Sequence, residues 1–215
     1  MLLCDWMYAQ VFPVQVITQL TPPYSPYLSD YTSAGSQNFM VQVVMRDVNV
    51  VDYSCKLRLT IEGIGITLRT KANYLPRPLI LQGGGIPQIL YGEDLQEYFH
   101  PAALDFSGLS RSDYNNTARL PEGVYRFSVE VLDYHRGTVV SNQGTSVAWI
   151  ILNDPPLLNL PSNFSSLKYN PSPNILFSWT PRHSASPNAA FTTEYIFRLI
   201  EIPPQNSNPN QAFLT

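Results

Sequence analysis

Apolar and polar residues alternate most regularly in residues 120–133. Phe127 and Val129 are separated by Ser128, and Glu130 follows, which is the two-residue period of a β-strand with one buried face. A Pro-Glu-Gly turn precedes the strand, and no group of nucleophiles, bases or metal ligands accompanies it. We therefore predict a half-buried antiparallel strand with Phe127 and Val129 in a hydrophobic core, and a structural or binding role rather than catalysis.

Shorter strand-like runs recur through the first 152 residues, separated by turns rich in Pro, Gly, Asn and Asp. We expect the strands 38–48 and 54–61 to pair with each other, joined around residues 47–52. The chain should then bend at Gly63 and Gly65. The predicted strands are 12–20, 38–48, 54–61, 62–71, 78–82, 124–133 and 146–152.

Two further elements complete this first unit. Acidic residues open the segment 93–99, apolar residues follow at helical spacing, and Pro101 ends it, which predicts one short helical segment. In the last strand, 146–152, Val147 and Trp149 share one face. We place Trp149 in the core.

The pattern changes at residues 154–156, Asp-Pro-Pro, where we place a domain boundary. Beyond it, a proline-flanked strand, a strand with Trp179 and a strand with Tyr195 and Phe197 resemble the front half of a fibronectin type III domain. These three aromatic residues would form its core. Such a domain needs about seven strands, so the unit 155–215 is incomplete. Because open apolar faces aggregate, we expect first-domain contacts, another chain or downstream sequence to complete its packing.

The composition fits a chain of short strands. Only 13% of the residues are charged, against about 25% in an average domain, whereas 19 prolines and 13 tyrosines suit many turns and strands. A net charge of −3 provides no basic surface for nucleic acid, and no run approaches the ~18 apolar residues that span a bilayer. The sequence predicts an all-β protein with tandem immunoglobulin-like or fibronectin type III-like sandwiches, 11–154 complete and 155–215 partial.

Residues 1–10 differ from the body of the chain and resemble the end of a signal peptide, with cleavage near Gln10. The alternative is that the true N-terminus lies further upstream. We favour export, which would place the protein outside the cell or on the outer cell surface. Two alternatives stay open for the cysteines: a buried free Cys55, or a disulfide between Cys4 and Cys55.

Candidate catalytic and metal-binding residues form no known motif. His100, His135 and His183 are far apart in the sequence, and neither His-x-x-x-His nor Cys-x-x-Cys spacing occurs. The glycines 83–85 lack the Lys-Ser/Thr of a phosphate-binding loop, and there is no Gly-x-Ser-x-Gly elbow. The Asp and Asn residues between 105 and 116 could ligate calcium, but turn capping explains them better. We predict no enzyme activity, cofactor or metal.

Aromatic residues in a loop are the remaining candidates for binding. Tyr24, Tyr27 and Tyr31 lie in a Pro- and Ser-rich stretch, where rigid amphipathic rings suit contact with a partner. The alternative is that these rings pack over the end of the sandwich.

Several of these segments together resemble the TANFOR-domain family of exported Bacteroidota proteins. The resemblance spans nearly the whole chain from Phe12. It depends on Pro-Val-Gln-Val at 13–16, Pro-Pro-Tyr-Ser at 22–25, Tyr-Phe at 98–99, Leu-Asp-Phe at 104–106, Leu-Pro-Glu-Gly at 120–123, Asp-Pro-Pro at 154–156 and Phe-Ser-Trp-Thr-Pro at 177–181. The resemblance implies a large surface protein of bacteria with type IX secretion. It also implies strand cysteines near Ser128 and Ser146, which this chain lacks, and no catalytic residues.

Two functions follow. The resemblance and the tandem sandwiches favour a non-enzymatic N-terminal module of a large secreted adhesin-like protein. That module would use protein–protein interaction to dock to an outer-membrane, secretion or gliding-motility complex. The alternative is a carbohydrate-binding module of a secreted polysaccharide-acting protein, which would need a planar row of exposed aromatic residues such as Tyr24, Tyr27 and Tyr31.

Overall fold

The computed structural model describes residues 12–152, 156–163, 165–168, 171, 174–182, 195 and 197–200. Strands make up 42% and helices 13% of the structure, and antiparallel sheets contain the strands, which confirms the predicted β-rich class. The strands are β1 (Val14–Leu20), β2 (Phe39–Met45), β3 (Tyr53–Gly63), β4 (Ile66–Thr70), β5 (Leu79–Leu81), β6 (Pro87–Tyr91), β7 (Leu104–Ser107), β8 (Gly123–Asp133), β9 (Gly144–Ile150), β10 (Leu157–Leu160) and β11 (Ser178–Thr180). The helices are α1 (Gln96–Phe99) and α2 (Arg111–Thr117), with 3-10 turns at Leu28–Tyr31, Gly92–Leu95 and Pro101–Ala103.

Two antiparallel sheets build the N-terminal unit. The smaller sheet has the strand order β1-β2-β6, and the larger has β7-β4-β3-β8-β9, with β5 beside the first residues of β3. Residues 46–52 carry the chain from β2 in one sheet to β3 in the other. The predicted pairing of 38–48 with 54–61 is therefore wrong. Alternation identifies the buried face of a strand but not the strand beside it.

Both sheets contribute inward side chains to one hydrophobic core. Phe127 is completely buried, and its ring centroid lies 5.4 Å from that of Tyr31 and 5.9 Å from that of Phe39. Val129, two residues along β8, is also buried. The core positions predicted for Phe127 and Val129 are confirmed. Burial of an apolar side chain of this size contributes about 1.5–3 kcal/mol.

The two sheets meet where β1 passes beside β9. Asn142 Oδ1 accepts a hydrogen bond from the Val16 N–H at 2.9 Å, and its Nδ2 donates to the Val16 carbonyl at 2.9 Å. The hydroxyls of Thr18 and Ser146 lie 2.9 Å apart. A Cβ built on Gly144 would lie 2.8 Å from Val16 Cγ1, so there is no room for a large inward side chain at that position of β9.

This close approach decides which face of β9 is buried. With Gly144 facing inward, the two-residue period places Ala148 and Ile150 inward as well, and both are completely buried. Trp149 therefore points outward and is 53% exposed. The prediction that Trp149 belongs to the core is wrong, because Gly144, Ala148 and Ile150 occupy the buried positions of β9.

The short elements divide into predicted and unpredicted ones. A 3-10 turn at Gly92–Leu95 continues into α1, which confirms the helical segment predicted near 93–99. The pairing of β3 with β4 confirms the bend near Gly63 and Gly65. The sequence did not predict β6, β7 or α2. α2 buries only Tyr114, so it shows no helical periodicity, and β6 and β7 have only five and four residues.

In the second unit, β10 pairs with β11, which correspond to the first two strands predicted there. The described residues of the third predicted strand, Tyr195 and 197–200, carry no strand assignment. The rings of Trp179 and Tyr195 have centroids 5.7 Å apart, so the predicted aromatic contact is present. Trp179 and Phe197 are nevertheless exposed, by 39% and 51%. The described residues include no further strand that covers these side chains, so their core position stays a prediction.

Cys55 is a buried free thiol on β3, and burial raises its pKa to about 12. The thiolate is the reactive form, so this shift suppresses its reaction with thiol reagents in the folded protein. Cys4 lies outside the described residues together with the predicted signal-peptide remnant 1–10, and so do Asp154 and Pro155 of the predicted boundary. Because Cys55 is a free thiol, the alternative of a Cys4–Cys55 disulfide is wrong, whereas the boundary stays a prediction.

Candidate functional site

The outer face of the larger sheet carries an apolar patch at one end of β8 and β9. Trp149 lies directly opposite Val124 in the strand pair, and Val147 precedes Trp149 by two residues, so the three side chains share one face. Trp149 is 53%, Val124 51% and Val147 54% exposed. These three residues are the Trp149 patch.

The buried face of the same two strands holds the patch in position. Tyr125, Ala148 and Ile150 alternate with the patch residues and are buried in the core. At the end of the strand pair, the Leu152 N–H donates a hydrogen bond to Glu122 Oε1 at 2.6 Å. The patch is therefore presented by paired strands whose inward side chains are packed, rather than by a loop.

One cation borders the patch. Arg126 is exposed on β8, opposite Val147 on β9 and opposite Glu62 on β3. Within the described part of the chain, its guanidinium joins no salt bridge. Tryptophan and arginine are enriched at the centres of protein–protein contacts, and exposed apolar surface marks such contacts. The patch and its neighbour therefore have the composition of a docking surface.

A second group of exposed aliphatic side chains lies in two loops at another place in the fold. Val48, Val51 and Ile86 are 72%, 75% and 70% exposed. The loops are joined by a hydrogen bond from the Gly83 N–H to the Val50 carbonyl at 3.0 Å. This group contains no aromatic residue, which makes it a suitable control surface for the Trp149 patch.

Carboxylates also line a cleft of about 500 Å³ between β5 and β6. Asp94 accepts a hydrogen bond from the Tyr91 N–H at 3.1 Å, and Glu97 accepts one from the Arg77 N–H at 3.1 Å. Both side chains therefore already accept hydrogen bonds from backbone N–H groups, and we assign them no chemical role.

The three candidate tyrosines do not form one surface. Tyr31 is completely buried and its hydroxyl donates to the Ser25 carbonyl at 2.8 Å, while burial raises its pKa above the usual value. Its predicted role in partner binding is wrong, because its ring packs against Phe127. Tyr24 packs partly against the core, whereas Tyr27 is 41% exposed. The alternative that the rings pack over the end of the fold holds for Tyr31 and Tyr24.

The histidines also have local structural contacts. His100 Nδ1 accepts a hydrogen bond from the Ala102 N–H at 3.2 Å and caps the turn that follows. The His135 ring meets the Tyr134 ring edge-on, with centroids 5.4 Å apart, and His183 lies outside the described residues. In the ranges that the structure covers, no three His, Cys, Asp or Glu side chains group as metal ligands.

Comparison of the chain with protein-family models, with curated proteins and with solved structures finds no match. Among the described residues, no helix combines the length and apolar character needed to cross a bilayer. Function must therefore be inferred from the geometry of the site itself.

Proposed function

We propose that this chain is a non-enzymatic docking module of a secreted cell-surface protein and that the Trp149 patch is its contact surface. Its partner is another protein, such as a component of an outer-membrane or cell-surface complex. In this proposal the two β-units are immunoglobulin-like or fibronectin type III-like sandwiches in tandem.

The exposed tryptophan is the observation that carries the proposal. The solvent face of an antiparallel sheet normally presents polar side chains. Here Trp149, Val124 and Val147 leave more than half of each side chain in water. Burying apolar surface gains about 25 cal/mol per Å², and tryptophan is among the residues that dominate binding energy at protein contacts. A partner that covers this face would recover that energy.

The carbohydrate-binding alternative has less support. It depended on a planar row formed by Tyr24, Tyr27 and Tyr31, and the burial of Tyr31 removes one member of that row. Trp149 is flanked by two aliphatic side chains, which suit an apolar protein surface better than a hydroxyl-covered sugar.

Site-specific photo-cross-linking in the organism that produces the protein tests the docking function. We expect p-benzoylphenylalanine at position 147 to cross-link to a second protein, because Val147 lies in the patch and is 54% exposed. The matched control is position 17, because Ile17 is also an exposed aliphatic residue in a strand, at 43%, but lies in the smaller sheet. Mass spectrometry of the product identifies the partner.

The control separates docking from random collision. We expect position 17 to give no product with that partner. Equal yields from positions 17 and 147, or a product that joins position 147 only to residues of the same chain, would contradict the proposed function.

A further inference from the structure

We propose that the other end of the same sheet face binds an acidic segment of the docked protein. The site is a cleft of about 440 Å³, and we call it the cationic cleft. This proposal rests on the proposed function, because it states the chemistry of the same partner that the Trp149 patch contacts. Its cationic lining residues are Lys56, Arg58, Arg69 and Lys71.

The sheet register brings these cations together. Lys56 and Arg58 occupy successive outward positions of β3, and Arg69 lies on β4 opposite Thr60. Lys71 follows β4 directly. The cleft thus gathers four of the 13 Lys and Arg residues of a chain whose net charge is −3.

Among the described residues, two of the cations have a partner and two do not. Arg58 Nη2 lies 2.6 Å from Glu130 Oε2 in a salt bridge, and Lys56 Nζ donates to the Tyr74 carbonyl at 3.2 Å. Arg69 faces Asp105 across the β4–β7 pair but forms no salt bridge with it in the described structure.

Lys71 likewise has no salt bridge within the described ranges. The four cations exceed the two neighbouring carboxylates, Asp105 and Glu130, by two positive charges. Arg69 and Lys71 are therefore the residues available to a ligand.

Carboxylates are the groups that fit these side chains. The guanidinium of arginine presents parallel N–H donors that match a carboxylate, and clefts lined by one sign of charge concentrate the opposite charge. The sheet also links the cleft to the Trp149 patch. Lys56 is paired with Leu132, and Leu132 lies eight residues along β8 from Val124, which is roughly 26 Å.

That separation fits within a single interface. A standard interface covers about 800 Å² on each partner, which is on the order of 30 Å across. One protein surface with an apolar area and an acidic segment would therefore cover both ends of the face. A free anion would use only the cationic cleft. An acidic segment of a docked protein accounts better for a face that carries both the Trp149 patch and the cationic cleft.

Binding of fluorescein-labelled hexaglutamate to the full chain, followed by fluorescence anisotropy at low salt, tests this site. We expect saturable binding that weakens as salt rises from about 50 to 300 mM, because exposed charges are screened. The double variant Arg69→Glu/Lys71→Glu should bind at least about tenfold more weakly. The matched control, Arg119→Glu/Lys168→Glu, makes the same change of net charge at exposed residues outside the cleft and should bind like the wild type.

Three outcomes would contradict the proposal that the cationic cleft binds an acidic segment. They are an equal loss of binding in the control variant, no hexaglutamate binding by the wild type, and binding of polygalacturonate in place of hexaglutamate. The assay needs no protein partner. If hexaglutamate fails to bind while position 147 still cross-links to a second protein, the result would therefore contradict the cationic cleft but not the docking function.

Discussion

Replacing Phe127 by alanine is expected to lower the free energy of unfolding by about 3–5 kcal/mol. The ring is completely buried and packs against Tyr31 and Phe39, which come from a loop turn and from the opposite sheet. Its removal leaves a cavity between the two sheets that neighbouring rings cannot fill without leaving their own positions. Urea unfolding followed by far-UV circular dichroism measures the change.

Val124→Ala is the matched control, because Val124 lies on the same strand but on its exposed face. We expect that substitution to change stability by less than about 1 kcal/mol. A Phe127→Ala variant whose stability stays within about 1 kcal/mol of the wild type would contradict the core assigned to the two sheets.

A second large effect is expected at Gly108, which follows β7. Its φ is +73°, and a Cβ added there would clash with the carbonyl oxygen of Gly65 in the β3–β4 turn. The atoms nearest to the added Cβ belong to the backbone of Gly65 and Ile66, so no side chain can move aside to relieve the clash. We expect Gly108→Ala to destabilise the protein by more than about 2 kcal/mol, because overpacking alone costs about 1–3 kcal/mol and the left-handed conformation adds about 1–2 kcal/mol.

Gly137→Ala separates the clash from the backbone conformation. Gly137 has a similar φ of +66°, but an added Cβ would meet nothing within 4 Å. This variant should lose only about 1–2 kcal/mol of unfolding free energy when both glycine variants are measured by the same urea unfolding experiment. Equal losses in the two variants would show that the β7 end does not approach the β3–β4 turn as described.

The sequence predicted those elements in which apolar residues recur with one clear period. β8 is such an element, because its inward residues are large and its length of 11 residues shows the alternation repeatedly. The turn at Gly63 and Gly65 and the helical segment near 93–99 also have strong local signals. These features depend on neighbouring residues in the chain, so a single sequence contains the information.

The candidate site was misassigned because both faces of β9 carry apolar residues. Trp149 and Val147 occupy one face, and Ala148 and Ile150 the other, so hydrophobicity alone favours the face with the indole. The deciding contact is the approach of Val16 to Gly144, which joins residues far apart in the sequence. The glycine was the available signal, since a glycine inside a strand often marks close approach of another backbone.

Tyr31 and α2 were missed for related reasons. Tyr31 lies in a segment rich in Pro and Ser that predicts a surface loop, yet a 3-10 turn points its ring into the core. α2 begins with Ser110 accepting a hydrogen bond from the Asp113 N–H at 3.0 Å, but only Tyr114 is buried. One buried residue produces no periodic pattern, so tertiary contacts decide both cases.

The affinity of the chain for the protein that cross-links through position 147 tests the central claim most directly. Trp149→Thr removes the indole but keeps a residue that suits a strand, and Val51→Thr introduces the same polar residue in place of an exposed apolar one at the loop control. We predict that Trp149→Thr raises the dissociation constant by about 30-fold or more, which corresponds to about 2 kcal/mol, while Val51→Thr leaves it unchanged. Unfolding curves confirm that both variants are folded. An affinity of Trp149→Thr within about twofold of the wild type would contradict the assignment of this patch as the docking surface.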